Sequence, residues 1–197
     1  MPVPETLMPD PNHHDWGEEL PRLDTPRLAL RPLTAGDVPD LYEIFSDPEV
    51  ARYWSSPPFE EMAEAEALLA DVEESFRQRT LFQWGVERRE DGKVVGTVTL
   101  WQLDVGNRRG EIGFALGRTA WGQGLMTEAL GELFSFCFEV LGLHRLEADV
   151  EPANEKSLRL LERLGFRREG YLRERWCTYG EWQDSVMLGL LAREWDR

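Results

Sequence analysis

The sequence predicts an α+β fold built on a mixed sheet. Two observations carry that prediction. The hydrophobic period changes at Leu81, from the three-to-four spacing of helices to the alternation of strands. Further on, strand-like segments at 109–116 and 144–150 alternate with helix-like ones, so helices must pack on a sheet that is not made of hairpins alone.

The elements follow in order. LALRPL at 28–33 alternates like a strand, and GDVPDLYEIFS at 36–46 places Val38, Leu41, Tyr42 and Phe45 at helical spacing. PPFEEMAEAEALLADVEESFRQR, 57–79, predicts a helix with proline at its start, acids in its first turns and a stripe of Met62, Leu69, Val72 and Phe76. LFQWGVERR and KVVGTVTLWQLD flank Asp91-Gly92, a pair suited to a tight hairpin whose two central residues take positive φ. RGEIGFAL, 109–116, is a third strand, and Gly113 within it points to a bulge or a close backbone approach. Met126, Ala129, Leu130, Leu133, Cys137 and Leu141 mark a helix to about Val140; HRLEADV, 144–150, is a strand. Asn154 to Leu164 is a helix that Gly165 ends, and FRREGYLRERW to WQDSVMLGLLA forms two strands turning near Gly180.

The 197 residues, 42% hydrophobic, suit one domain, expected over 21–197, preceded by a mobile arm at 1–20 with four prolines and no periodicity. Thirty-seven acids against 22 bases give a net charge of −15, which argues against nucleic acid and anionic lipid as partners and favours a cationic substrate. Cys137 and Cys177 are too few for a disulfide framework, and the first residues lack a signal-peptide pattern, so a cytoplasmic location is expected. FSFCFEVLGL, 134–143, is too short and too interrupted by Glu139 for a membrane span. His13, His14 and Asp15 lack further ligands, and no metal is expected.

RTAWGQGLMTEA, 118–129, places Gly122 and Gly124 just before a helix whose first N–H groups have no internal acceptor. Such a turn suits an anion, although a plain structural turn accounts for it equally well. A P-loop would need Lys and Ser/Thr after the second glycine, and a Rossmann turn would need glycine where Thr127 stands. Downstream, Asn154 and Ser157 open the helix in EPANEKSLRLLERLGF.

Taken together, GxGLxxEA, a strand, NxxSxxLLExLGF and EG resemble the GNAT superfamily of acetyl-CoA-dependent N-acetyltransferases. TPRLALRPLTAGDVPDLYEIFSDPEVARYW resembles the start of the branch holding the ribosomal-protein N-terminal acetyltransferases, and the similarity covers 24 to about 192. The resemblance implies a mixed, mostly antiparallel sheet flanked by helices and splayed between two parallel strands, 111–116 and 145–150, with pantetheine in the gap. It places pantetheine against the main chain of Phe114, Ala115 and Leu116, and the phosphates on the amides of Trp121, Gly122, Gln123, Gly124, Leu125, Met126 and Thr127. Thr119 stands where many members carry Gln or Arg.

Acetyl transfer to an amine needs a neutral nucleophile, a donor for the developing oxyanion, and help for the leaving thiolate. A backbone N–H near Phe114 is the expected oxyanion donor; Asn154 is either a pantetheine contact or a helix cap, and Ser157 is the candidate partner of the leaving sulfur. Relatives in that branch carry a Glu where this chain has Trp176, which leaves Glu111 and Glu174 as candidate bases. Trp54, Trp84 and Trp176 are candidates for the acceptor pocket, against the competing reading of core packing. Cys137 reads as a buried thiol and His144 as structural. The expected acceptor is a protein N-terminus, with a small cationic amine (polyamine or aminoglycoside) second and a non-catalytic acyl-CoA sensor third. A homodimer sharing the acceptor groove is expected by analogy.

Overall fold

The computed structural model describes residues 17–54, 56–178 and 180–196, so most of the expected arm, with His13, His14 and Asp15, lies outside the described residues. The strands are β1 (Leu23–Asp24), β2 (Leu28–Arg31), β3 (Leu81–Arg88), β4 (Val94–Asp104), β5 (Arg109–Leu116), β6 (Arg145–Val150), β7 (Arg167–Thr178) and β8 (Glu181–Leu191). They form one sheet in the order β1-β2-β3-β4-β5-β6-β8-β7. Every neighbouring pair is antiparallel except β5–β6, which is parallel. The helices are α1 (Val38–Phe45), α2 (Pro48–Ala51), α3 (Met62–Arg77), α4 (Leu125–Ser135) and α5 (Glu155–Arg163).

Alternation along the strands divides the apolar side chains between two layers. Phe82, Trp84, Val98, Leu100, Ile112, Leu146 and Leu188 join Leu130, Leu133 and Leu161 of α4 and α5 in the larger core. Ala115 and Val94 face the other way, packing with Leu41, Phe45, Leu69 and Val72 of α1 and α3. That second face also carries Gln83, Thr99 and Glu111, because the register pairs Gln83 with Thr99, Thr99 with Gly113 and Trp101 with Glu111.

Several expectations shift. The long helix starts at Met62, where Glu61 and Glu64 form a capping box, and not at the prolines; Met62 is exposed and Ala65 takes its place in the buried stripe. At the β3–β4 hairpin only Gly92 has positive φ, 71°, because the connection is longer than two residues and closes with Gly92 N–H donating to Arg88 O at 2.8 Å. Gly113 lies in a regular ladder, and the irregularity of that pair falls at Trp101/Asp104 instead. α4 continues through a π-type turn at Phe136–Val140. Leu20, the last residue of the expected arm, is buried in the larger core. Among the described residues no helix is long and apolar enough to cross a membrane.

Candidate active site

Parallel pairing of β5 with β6 runs through Arg109/Arg145, Gly110/Leu146 and Glu111/Glu147, then stops. β5 continues on β4 to Leu116, and β6 continues on β8 to Val150. The two central strands therefore part beyond Glu111, and the sheet opens as a wedge.

Main-chain directions follow from the ladder. Gly117 N–H donates to Val95 O at 2.8 Å. Since alternate residues of an antiparallel strand address the same neighbour, Gly113 and Ala115 also belong to β4, whereas Phe114 and Leu116 turn their N–H and C=O toward the opening. Leu116 O accepts the Trp121 indole N–H at 2.7 Å. Phe114 is left with both main-chain groups at the wedge. Of the three residues expected to pair with pantetheine, Ala115 is thus displaced: its polar groups serve β4, where its carbonyl stands 2.4 Å from where a Cβ on Gly96 would be.

Beyond β5 the chain reaches Gly122 and Gly124, both at φ 73°. A side chain in this left-handed region costs about 1–2 kcal/mol, which is why the turn uses glycine twice. Among the described residues no protein acceptor is found for the N–H groups of 122–127. Trp121 N–H is already donated to Arg118 O at 3.2 Å, so the expected set of seven free amides contracts to six. Gln123 commits its side chain to Thr119 O. Glu128, in the first turn of α4, accepts from Thr25 Oγ1 at 2.6 Å, Arg27 N–H at 2.9 Å and Arg27 Nε at 2.6 Å. Arg27 Nη1 also reaches Gln123 O at 3.0 Å, lashing the turn to the β1–β2 connection.

Wedge and turn share a cleft of about 920 Å³. One wall is the α2 segment with Trp54; the other is the start of α5, where Asn154 Oδ1 accepts Ser157 N–H at 3.2 Å. Asn154 is therefore the helix cap, and both it and Ser157 face the cleft. Lys156, Arg159 and Arg163 line the same cleft, with Lys156 Nζ 4.0 Å from the Trp121 ring centroid. Sequence reading missed these three cations; their i, i+3, i+7 spacing on α5 was the available signal. Six free amides, two left-handed glycines and a basic helix face form a donor set that fits a polyphosphate.

Glu111 sits where the strands part. It is 7% exposed, and among the described residues no donor reaches its carboxyl. Burial, then the carboxylates of Asp149 and Glu147, push it up to about 7, partly offset by Arg175 and Arg109. Glu147 is itself neutralised by Arg109 Nη1 and Arg145 Nε, each at 2.7 Å. Glu174 is exposed on the bulge of β7 at φ 51°, its N–H donated to Asp184, and no contact among the described residues brings it to Glu111. Arg175 Nε and Trp176 Nε1 both donate to Asp149 Oδ2, at 2.8 and 2.9 Å, which draws the bulge toward the face bearing Glu111. Trp176 keeps 45% of its surface exposed there. Trp84 does not belong to this face. It is fully buried in the opposite core, its indole N–H on Pro21 O at 2.8 Å, and Trp101 is the aromatic paired beside Glu111.

The signature of an acetyltransferase (GNAT) domain matches residues 27–167. An uncharacterised N-acetyltransferase, p20, of Bacillus licheniformis is 36% identical over 88% of this chain and 97% of its own. Two Escherichia coli proteins share 27%: the ribosomal protein uS5-alanine N-acetyltransferase, over 88% of this chain and 92% of its own, and spermidine N(1)-acetyltransferase, over 85% and 88%. The crystal structure of a GCN5-related N-acetyltransferase from Brucella melitensis superposes with a TM-score of 0.81 at 27% identity, covering 89% of this chain and 80% of that one.

Proposed function

The chain belongs to the GNAT family of acetyl-CoA-dependent N-acetyltransferases, and from that premise we propose that its acceptor is the α-amine of a protein N-terminus, deprotonated by Glu111. The observation that carries this reading is the placement of an unpaired, proton-avid carboxyl at the point where β5 and β6 separate.

Acetyl-CoA supplies the activated acyl group. The amides of 122–127 with Lys156 hold its phosphates, and Phe114 N–H, turned into the wedge, donates to the acyl oxygen as charge develops there. Glu111 takes the proton from the incoming amine. Ser157, at the mouth of α5, donates its hydroxyl hydrogen bond to the departing sulfur.

Proton affinity separates the acceptor classes. An α-amine with a pKa of about 8 lies close to Glu111, whereas an alkylamine near 10.4 lies well above it. Whatever the carboxyl's own value, proton transfer from the alkylamine is the more uphill by about 3 kcal/mol. The 27% likeness to the uS5-alanine enzyme agrees with the first class, and the equal likeness to the spermidine enzyme keeps the second in the test.

Thiol release from acetyl-CoA, measured with hexapeptides beginning in Ala or Ser, spermidine and an aminoglycoside, tests the reading. Faster turnover of the peptides supports it. Turnover confined to spermidine or the aminoglycoside refutes it.

A further inference from the structure

Arg27, in the β1–β2 connection, reaches the glycine turn with both its main chain and its head fixed. Its N–H donates to Glu128 Oε1 and its carbonyl accepts Arg89 N–H, each at 2.9 Å. Its Nε donates to Glu128 Oε2 at 2.6 Å, which aims Nη1 at Gln123 O, 3.0 Å away. Nη2 passes 3.7 Å from where a Cβ on Gly124 would stand, so the guanidinium lies against the Gln123–Gly124 peptide. The Arg27 side chain is 50% exposed, and an ion pair so open to water adds little to the fold. What it does add is control of that peptide.

In a trans peptide the C=O and N–H point in opposite directions. Arg27 occupies the carbonyl side, so Gly124 N–H is turned the other way; Gly124 lines the cleft, and no protein acceptor among the described residues takes that N–H. A cation donating to the carbonyl polarises the amide and makes its N–H a stronger donor. The same bond opposes a flip of the peptide plane, which glycine would otherwise permit and which would present the carbonyl oxygen to an anion. Glu128 acts in the opposite sense if only its charge is counted, since a carboxylate in the first turn of α4 repels an anion bound at that helix start. Its bonds to Thr25 Oγ1 and to Arg27 give it a different use, as the bracket that aims Arg27.

Resting on the reading that the amides of 122–127 hold the phosphates of acetyl-CoA, we propose that Arg27, aimed by Glu128, is a positioning residue for the diphosphate. It acts from behind the turn, through the Gln123 carbonyl, by orienting and strengthening the Gly124 N–H. Lys156 faces the ligand directly; Arg27 prepares the backbone that meets it.

The test compares Arg27→Met and Glu128→Gln with the unchanged chain. Calorimetry gives Kd for acetyl-CoA and, at higher concentration, for S-acetylpantetheine, which carries the same thioester arm without the diphosphate. Each variant should raise Kd for acetyl-CoA about tenfold and leave that for S-acetylpantetheine within about twofold. Glu128→Gln is the sharper of the two, because loss of a negative charge would by itself tighten phosphate binding and the proposal requires the reverse. Acetyl-CoA bound by either variant as tightly as by the unchanged chain, or more tightly, overturns the proposal. An equal loss on both ligands also overturns it, since that marks a merely structural role. If the unchanged chain itself binds acetyl-CoA no better than S-acetylpantetheine, the phosphate reading of the turn fails, and this proposal with it.

Discussion

Glu111→Gln separates a catalytic carboxyl from a merely structural one, because the same burial that suits it to proton transfer makes it a burden on the fold. Its carboxyl is raised from 4.5 to about 7. A raised carboxyl binds its proton more tightly in the folded state, so its contribution is greatest at low pH and is lost as pH climbs from 4.5 through 7, levelling off above. At ~1.4 kcal/mol per unit, the shift amounts to about 3 kcal/mol. An uncharged amide in place of the carboxyl escapes that penalty, and no hydrogen bond among the described residues is lost with the substitution. The variant should match the parent near pH 4.5 and exceed it by up to about 3 kcal/mol at pH 8, which for a chain of this size is a melting temperature higher by about 6–12 °C. Thiol release with an Ala-initiated peptide should fall about 100-fold at pH 7, and the deficit should shrink toward pH 9 as the α-amine loses its own proton. Urea unfolding and initial rates, each taken from pH 4.5 to 9, read both halves. A variant less stable at pH 8, or one that retains full turnover at pH 7, refutes the reasoning.

Four further variants test the cleft. Gly122→Val forces a β-branched residue to φ 73° although nothing lies within 4 Å of its Cβ, so the melting point should drop by about 4 °C while calorimetric Kd for acetyl-CoA rises at least tenfold. Lys156→Ala should weaken acetyl-CoA about fivefold at low salt and flatten the dependence of Kd on ionic strength, without altering the peptide KM. Asn154→Ala removes the cap on Ser157 N–H and should cost about 1 kcal/mol in urea unfolding, whereas Ser157→Ala should leave stability within about 0.5 kcal/mol and lower kcat.

Much of this site was legible because its backbone needs particular residues. Gly122 and Gly124 announced a turn with open backbone, which the structure folds at φ 73° where few other residues fit, and Asn154 followed by Ser157 announced a helix start. The parting of β5 from β6 was legible only through the family resemblance, because Ile112, Phe114 and Leu116 alternate the same way whether or not a neighbour pairs with them. Trp84 was offered to the acceptor although Phe82 and Val86 on either side already placed it on the core face. The basic face of α5 resembles any solvated helix until the turn of 121–124 is folded against it.

Amide hydrogen exchange with and without acetyl-CoA tests the central claim, that the N–H groups of 122–127 hold the cofactor's phosphates while its arm enters between β5 and β6. Bound acetyl-CoA should slow exchange chiefly in peptides covering 112–127 and the start of α5, with the β1–β3 edge unchanged. Saturating acetyl-CoA that leaves exchange at 122–127 and at Phe114 as fast as in the free chain would contradict it.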